Sequence, residues 1–439
     1  MAKDKLTQYD TTASNNTDVG GVSVAEGMLP SGVNNAIREQ MSHLADFAAG
    51  TSGVDVLKLQ DDTDTNSIKL QAPSSVTTTT TFTLPDGDGE SGQTMITDGA
   101  GTLAWAAPYG NRNLIINGAM QVAQRGTSET GVSISQYVNA CDRFKVNGNN
   151  GTWTISQDTD APDGFSNSLK MLLTATETIG TTSYWSVEQK IEGQNLQSLA
   201  YGTSSAKTVT VSFYVKSNIT GTYCLNLYQD DGTKNFPKTY TIDSADTWEY
   251  KTISFVGDTS TALDNDNASS LRTQFFVVAG SDLTSGSSGS RVAYSNATFA
   301  AGHTAQVDAV NDYWQITGVQ LELGEQATPF EHRSYGDELA RCQRYFHAIE
   351  LTSAWFIDAY LVASSYCIQA VPFATTMRVS PTSTADMSTN WITSNLTSNL
   401  ISVYNANYAS WQIRASGAGR SYAYYNANDG ATIKFDAEL

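Results

Sequence analysis

Residues 81–105 read TFTLPDGDGESGQTMITDGAGTLAW. A β-prone run opens the stretch and a Gly/Asp turn cluster interrupts it. Two short apolar runs come next, Met95-Ile96 and Leu103-Ala104-Trp105, separated by Asp98-Gly99. Alternation and turn residues of this kind spell strand, turn, strand. The apolar side chains are too few for a core, and a two-stranded piece is marginal alone in water. Order therefore requires cover, and the same segment from sister chains wound about a common axis supplies it at least cost. The stretch is expected to be an oligomeric shaft, with the N-terminal residues at one end and the C-terminal domains at the other.

The chain has 439 residues, room for about three domains. Charged residues make up 16%, below the usual quarter, and Thr, Ser, Asn and Gly take their place. This composition favours β structure with many turns over helical bundles. A net charge of −19 argues against nucleic acid, which needs a basic footprint. It also means that attraction to an anionic surface has to be local. Cys141, Cys224, Cys342 and Cys367 lie far apart with no CxxC pair, so they read as small buried apolar residues. No apolar run reaches the roughly 18 residues of a membrane span, and the first residues lack a signal-peptide pattern. A soluble protein made in a cytoplasm is expected.

Outward from the shaft, residues 1–50 form a polar arm followed by a helix. Ser31 can cap the helix and Gly50 stands where a closing glycine belongs. Val33, Ile37, Leu44 and Phe47, with Gln40 between, follow a 4-3-4-3 spacing that suits either a coiled-coil seam or docking on a neighbouring protein. In the shaft, 51–107, Lys58-Leu59-Gln60 recurs as Lys69-Leu70-Gln71 across an acidic turn. Residues 108–335 change texture. Alternating strands are expected at 152–156, 169–174, 185–191, 208–216, 223–228, 248–255, 274–278 and 314–323, with turns such as Asn117-Gly118 and Asp231-Gly232 between some of them. Eight strands with long loops imply a jelly-roll-like β-sandwich. Trp153, Trp185, Trp248 and Trp314 are expected in its core. Ser334-x-x-Asp337 resembles a capping box and opens a linking helix, 336–350, read as a hinge. Residues 351–439 hold 13 aromatics and only nine charges, the composition of a small β tip domain. The fold class is thus mainly β: a short helix, an intertwined β shaft, a sandwich and a tip.

Catalytic and cofactor signatures are weak. Residues 87–92, GDGESG, match GxGxxG literally, yet Asp86, Asp88 and Glu90 would repel a pyrophosphate and a strand follows where a helix is needed. No cofactor is expected. The same acidic cluster and Asp62-x-Asp64-x-Asn66 lack the glycine and distal glutamate of a calcium loop, so no metal site is expected beyond weak surface calcium. The four histidines show no HExxH spacing and there is no GxSxG. Paired carboxylates for glycoside hydrolysis would be recognisable only by geometry. The expectation is no enzyme.

Several stretches resemble bacteriophage tail fibre proteins. GVSVAEGMLPSGVNNAIREQMSHLA (21–45) is similar to an N-terminal tail-anchoring segment, and residues 81–105 resemble a passage from shaft to head. NRNLIINGAMQVAQRG (111–126), Asp142-Arg143-Phe144 and ITGVQLELGEQATPFEHRSYGDELARCQRYF (316–346) look like the two ends of a jelly-roll module; Asp436-Ala437-Glu438-Leu439 looks like a fibre end. The resemblance implies a homotrimer in the virion tail. Tail proteins would be bound through the N-terminus, around Met28, Val33, Asn34, Ile37 and Arg38. A host surface glycan or outer-membrane receptor would be met by the tip. Aromatic faces stack on sugar rings while polar neighbours bond hydroxyls. Tyr404, Tyr408, Trp411, Tyr422 and Tyr424 are the receptor-binding candidates on that ground. Two rival readings stand beside non-enzymatic adsorption: a polysaccharide-degrading tail spike, and a structural spacer whose tip binds another virion protein.

Overall fold

The computed structural model describes residues 10, 15–25, 27–48, 56–60, 67–71, 81–88, 94–97, 101–106, 112–350, 356–361, 366–385, 391–394, 396–403, 405–415, 419–425 and 432–439. They fall into two compact units, Met1–Thr81 and Phe82–Leu439. In the first, β1 (Asp18–Val19) and β2 (Val22–Ser23) pair as a hairpin that turns at Gly20 and Gly21, both in the left-handed region. Helix α1 (Pro30–Ala48) opens at Pro30, a residue suited to a first helical position, so Ser31 lies inside the helix rather than capping it as expected. Val19 and Ala36 are buried between hairpin and helix, and His43 shares the buried side. The expected seam is not on that side: Val33, Ile37 (51% exposed), Gln40 and Leu44 are exposed, as is Met41 beside them. Gly50 and the side chain of Phe47 lie outside the described residues. Strands β3 (Val56–Gln60) and β4 (Ser67–Gln71) pair antiparallel with Lys58 opposite Lys69, so the short repeat supplies the two arms of one hairpin. Its acidic turn, with Asp62 and Asp64, is outside the described residues.

The second unit begins with the shaft stretch. Strands β5 (Thr94–Thr97) and β6 (Leu103–Ala106) form the expected hairpin. Among the described residues the β-prone run before them joins through a parallel bridge, Thr83 to Thr102, while the Trp105 indole donates to the Gly87 carbonyl at 2.8 Å. Phe82, Leu84 (70% exposed) and Met95 stay uncovered by the chain's described residues.

The sandwich comes next. Its strands are β7 (Ser128–Val132), β8 (Gln136–Tyr137), β9 (Lys145–Gly148), β10 (Thr152–Asp158), β11 (Ser168–Ala175), β12 (Tyr184–Glu192), β13 (Val209–Ser217), β14 (Gly221–Gln229), β15 (Lys234–Asn235), β16 (Pro237–Ile242), β17 (Glu249–Phe255), β18 (Ser269–Ala279), β19 (Val292–Ala293) and β20 (Tyr313–Leu323). One sheet runs β17-β13-β20-β11-β10-β7. The other runs β19-β15-β14-β18-β12-β9-β8, with β16 also on β14. Neighbours distant in sequence, such as β13 beside β20 and β12 beside β18, make the crossing connections of a jelly-roll-like sandwich. All eight expected strands are present. The additional ones are two to six residues long, too short for alternation to register.

Alternation drives the packing. Trp153, Ile155, Val187, Phe213, Leu225, Phe275 and Trp314 point between the sheets and are fully buried. Trp153 and Trp185 both donate to the Asn150 carbonyl, so these two buried indole N–H groups share an acceptor. Trp248 departs from expectation. It is half-buried just before β17, donating to Asp160 at 3.1 Å. At the irregular point of β20, Gly318 adopts φ +62°, and a Cβ there would lie 2.7 Å from the Phe165 ring.

Two short helices, α2 (Ser281–Thr284) and α3 (Asn296–Phe299), sit in the loops beside the larger sheet. Helix α4 (Tyr335–Gln343) is capped by Ser334, whose hydroxyl accepts from the Asp337 N–H at 3.2 Å. It ends before Phe346, which opens the tip. Strands β21 (Phe346–Glu350), β22 (Phe356–Leu361), β23 (Tyr366–Pro372), β24 (Thr382–Ala385), β25 (Trp391–Ser394), β26 (Leu396–Val403), β27 (Tyr408–Ala415), β28 (Gly419–Tyr425) and β29 (Thr432–Asp436) make three small sheets: β21-β29-β24, β22-β28-β25 and β23-β27-β26.

The first of these sheets is bolted to the sandwich, which differs from the hinge read at α4. Arg143 is buried, pairs with Glu438, lies 3.5 Å from the Tyr345 ring centroid and donates to the Lys190 carbonyl at 2.7 Å. Arg125 lies 3.7 Å from the Phe346 ring centroid and pairs with Asp436 at 3.1 Å and Glu438 at 3.3 Å. Arg344 makes a two-pronged pair with Glu192, and Arg378 and Asn267 bond each other's backbone carbonyls. Four charged groups buried together hold only because each is paired and hydrogen-bonded. Asp142 sits in this cluster, accepting from the Gln124 backbone at 3.0 Å and side chain at 2.6 Å. Burial raises its carboxyl to about 6, a rise opposed by Arg125 and Gln124 and reinforced by Glu438.

Two measurements check this architecture. Gly318→Ala should destabilise by about 2 kcal/mol and lower the melting temperature, because it meets both a left-handed backbone and an aromatic ring. Gly336→Ala, with an ordinary φ and open space around it, should be neutral. For Asp142 the folded value lies above the ordinary carboxylate range. Its contribution to stability is therefore complete below about pH 4 and lost as the pH rises through 6. Denaturant titrations of Asp142→Asn should lack that part of the decline, a difference from wild type on the order of 3 kcal/mol between acid and neutral pH. Parallel pH profiles for the two proteins would refute the assignment.

Candidate functional site

The residues singled out from sequence fall in two places. Met28, Val33 and Ile37 line a groove of about 440 Å³ between α1 and the preceding segment, together with Val19, Val24 and Ala36. Asn34 and Arg38 are exposed on the helix outside that groove. Of the tip residues, Tyr408 is 38% exposed at the start of β27. Trp411 pairs with Gln369 and Ile401 in one small sheet, whereas Tyr422 and Tyr424 belong to another, on β28. The side chains of these three, and all of Tyr404, lie outside the described residues.

A second arrangement stands on the outer face of the larger sheet, and no single motif announces it. The core takes Val187, Leu225 and Phe275, so the alternate positions Glu188, Asn226 and Gln274 face away from it. Register sets them side by side: Asn226 opposite Gln274, Gln274 opposite Glu188, Glu188 opposite Lys145, and Lys145 opposite Tyr137. The amides form a directed chain. The Asn226 amide donates to Asn235 at 2.9 Å and to Gln274 at 3.0 Å, and Gln274 donates to Glu188 Oε2 at 2.9 Å. Asn235 in turn donates to Thr298 on α3 at 3.0 Å. Glu188 is only 1% exposed, and its Oε1 meets no hydrogen-bond donor among the described residues.

Long side chains border this row. Tyr228, opposite Arg272, starts a run of rings with Tyr294 and Phe299 that reaches Tyr184, successive centroids 6.1, 6.0 and 5.4 Å apart. Arg272 lies 5.2 Å from the Tyr228 ring and is paired with Asp230. Lys190, opposite Arg272, donates to Leu439 O at 3.0 Å, as does the Tyr137 hydroxyl at 3.1 Å. Burial lowers the Lys190 ammonium, and Arg272 adds to the shift. Burial also raises the Tyr184 phenol, with Glu188 reinforcing it. A buried carboxylate oxygen without a donor costs roughly 1–3 kcal/mol, and a hydroxyl brought by a ligand would recover it. Aromatic edges beside a polar floor suit a polyhydroxylated molecule.

The opposite sheet carries a second group of rings on its outer face, Tyr250, Tyr214, Phe165, Phe330 and His332, with centroids 4.9 to 5.5 Å apart. These rings meet at steep angles and hold the 160s loop over Gly318, so they form no flat platform. Among the described residues no group of three or more His, Cys, Asp or Glu could hold a metal ion. No helix of the described residues is long and apolar enough to cross a membrane.

No family model and no curated protein matches the chain. Solved structures that resemble it include the enzymatically active domain of tailspike protein 4 of bacteriophage CBA120 (12% identity, 48% of this chain and 21% of that one, TM-score 0.27). They also include the carbohydrate-binding module CBM4 (14% identity, 47% and 98%, TM-score 0.25). A third is TmCBM61 in complex with β-1,4-galactotriose (9% identity, 49% and 100%, TM-score 0.26). The match thus spans about a fifth of the tailspike chain. TM-scores this low carry no argument about activity, and the β-sandwich stands on its own strands and register.

Proposed function

We propose that this chain is a tail fibre protein of a bacteriophage, a homotrimer that attaches the particle to a cell surface by binding glycan without cleaving it. The observation that carries the binding reading is the row Asn226–Gln274–Glu188, a polar floor with an unanswered acceptor beside tyrosine rings. The fibre reading is supported by the stretches that resemble such proteins. Several of them meet in space: Arg125 and Arg143 from one end of the module grip Glu438 from the end of the sequence.

The trimer is supported by apolar side chains that one chain leaves in water: Val33, Ile37, Met41 and Leu44 on α1, and Phe82, Leu84 and Met95 around the shaft hairpin. Sister copies would cover them. Met28, Asn34 and Arg38, outside that covered set, would then take part in joining the fibre to tail proteins. In the virion, a weak sugar site repeated three times per fibre and over several fibres becomes firm attachment through effective concentration.

Sedimentation velocity of the full-length protein should give three chains per particle, and Ile37→Asp combined with Leu44→Asp should shift that distribution to smaller species. A single compact chain in the unmutated protein would overturn the fibre. Fluorescently labelled protein added to a panel of bacterial cells should bind at least one strain, with periodate oxidation of the surface glycans abolishing it. Binding that survives periodate would overturn the glycan and point to an outer-membrane receptor, and no binding at all would favour a spacer. Release of reducing ends from envelope polysaccharide would favour a degrading spike.

A further inference from the structure

We infer that the outer face of the six-stranded sheet carries a second sugar subsite, in which the Trp248 indole stacks on an uncharged hexopyranose and the Asp160–Lys216 pair bonds two of its adjacent hydroxyls. This rests on the glycan-binding reading and adds to it a site on the opposite face and a ligand class.

The register of the core builds the subsite. Phe213 and Val215 are buried between the sheets, so Tyr214 and Lys216 point outward on β13. The edge strand β17 lies beside β13 and sets Tyr250, 47% exposed, opposite Tyr214. Trp248 stands one residue before β17 and is half-buried. Asp160 ties it to β13, accepting from the Trp248 indole at 3.1 Å and from the Lys216 ammonium at 2.8 Å. The indole is thereby held beside Lys216 with part of its surface in water. The tilted rings behind Tyr250 are no platform themselves, but Tyr214 backs it, the two centroids 4.9 Å apart.

The groups a sugar needs are accessible here. The Asp160 side chain is 42% exposed. Partial burial works to raise its carboxyl, but the bonds from Lys216 and Trp248 outweigh this and hold it below its ordinary value. It is therefore ionised and accepting at neutral pH. Trp248 and Lys216 fill two of its roughly four acceptor positions, and Asp160 takes one of the three ammonium donors. The donors and acceptors left over sit on atoms 2.8 Å apart, the spacing of the oxygens of neighbouring hydroxyls on a pyranose ring. An apolar ring face beside such a pair suits a hexopyranose, which has C–H groups on one face and hydroxyls around its rim. The charges favour a neutral ring. Two strands from Lys216, Lys170 pairs with Asp158 at 3.2 Å, so both ammonium groups of this face are answered. A charged sugar would have to break a pair already made, whereas a neutral one uses what the pairs leave over.

The test uses the full chain, titration calorimetry and four hexasaccharides, of glucose, mannose, galactose and galacturonate. At least one neutral hexasaccharide should bind, and more tightly than the galacturonate. Trp248→Ala should weaken that binding about tenfold, and Trp248→Tyr should recover most of it. Lys216→Met, which keeps the stem and removes the donor, should weaken it as well. Unchanged melting temperatures would show that the variants are folded. Saturating sugar should also shield an indole from acrylamide quenching in the wild type and not in Trp248→Phe, a change that a purely structural role does not produce. Should Trp248→Ala melt early, the shielding and Lys216→Met decide. Wild-type affinity in both Trp248→Ala and Lys216→Met would overturn the subsite, and a preference for the galacturonate would overturn its uncharged ligand. Failure of every neutral hexasaccharide to bind would also overturn the subsite, and periodate-sensitive attachment to cells would then leave the glycan reading standing without it.

Discussion

The sandwich depends on one constraint: every long strand must bury one face against the opposite sheet. Trp153, Trp185 and Trp314, each fully buried, fill the space between the sheets. Their burial fixes which side of each strand faces out, because a shift of one residue would turn the whole set over. The outer faces inherit their composition from that choice. On β12, placing Val187 inside places Glu188 outside; on β14 and β18, Leu225 and Phe275 do the same for Asn226 and Gln274. The candidate site is thus a consequence of the core's register.

Outward-facing residues of a sandwich are usually solvated. Here they are not. The loops carrying α2 and α3 pack Leu283, Ala300 and Phe299 onto the outer face around Cys224 and Phe276, making a second small core. The long side chains of the neighbouring strands shield the rest. A polar row in such a place must satisfy itself, and it does so amide by amide until it reaches Glu188. A row that stops one hydrogen bond short is either a stability cost or a binding device, and buried polar networks carry large penalties when incomplete.

A separate set of contacts makes sandwich and first tip sheet one body. Arg125 and Arg143 stack on Phe346 and Tyr345 and share Glu438. Guanidinium groups suit this role, since their planar faces cover rings while their edges meet carboxylates. Movement at α4 would break several buried ion pairs together. The tip's first sheet is therefore presented at a set angle to the sandwich face that carries the polar row.

Much of the architecture was legible in the linear chain. Alternation of period two located all eight long strands, because each has one face in a core and one facing out. The Ser334 cap and the hairpin around Asp98-Gly99 were readable from local chemistry. The sandwich's additional strands of two to six residues were not, since they carry too few alternations, and Trp248 was misplaced because tryptophan's size suggests a core even where its N–H is needed at a surface carboxylate. The candidate site was invisible for a different reason. Glu188, Asn226 and Gln274 are separated by 38 and 48 residues in the chain and become neighbours only when β18 enters between β12 and β14. The amino-acid sequence by itself determined which residues face the core, through hydrophobic period. Only the tertiary structure decided which outward residues meet, because strand order in a sheet is set by long-range closure and packing that no local pattern encodes.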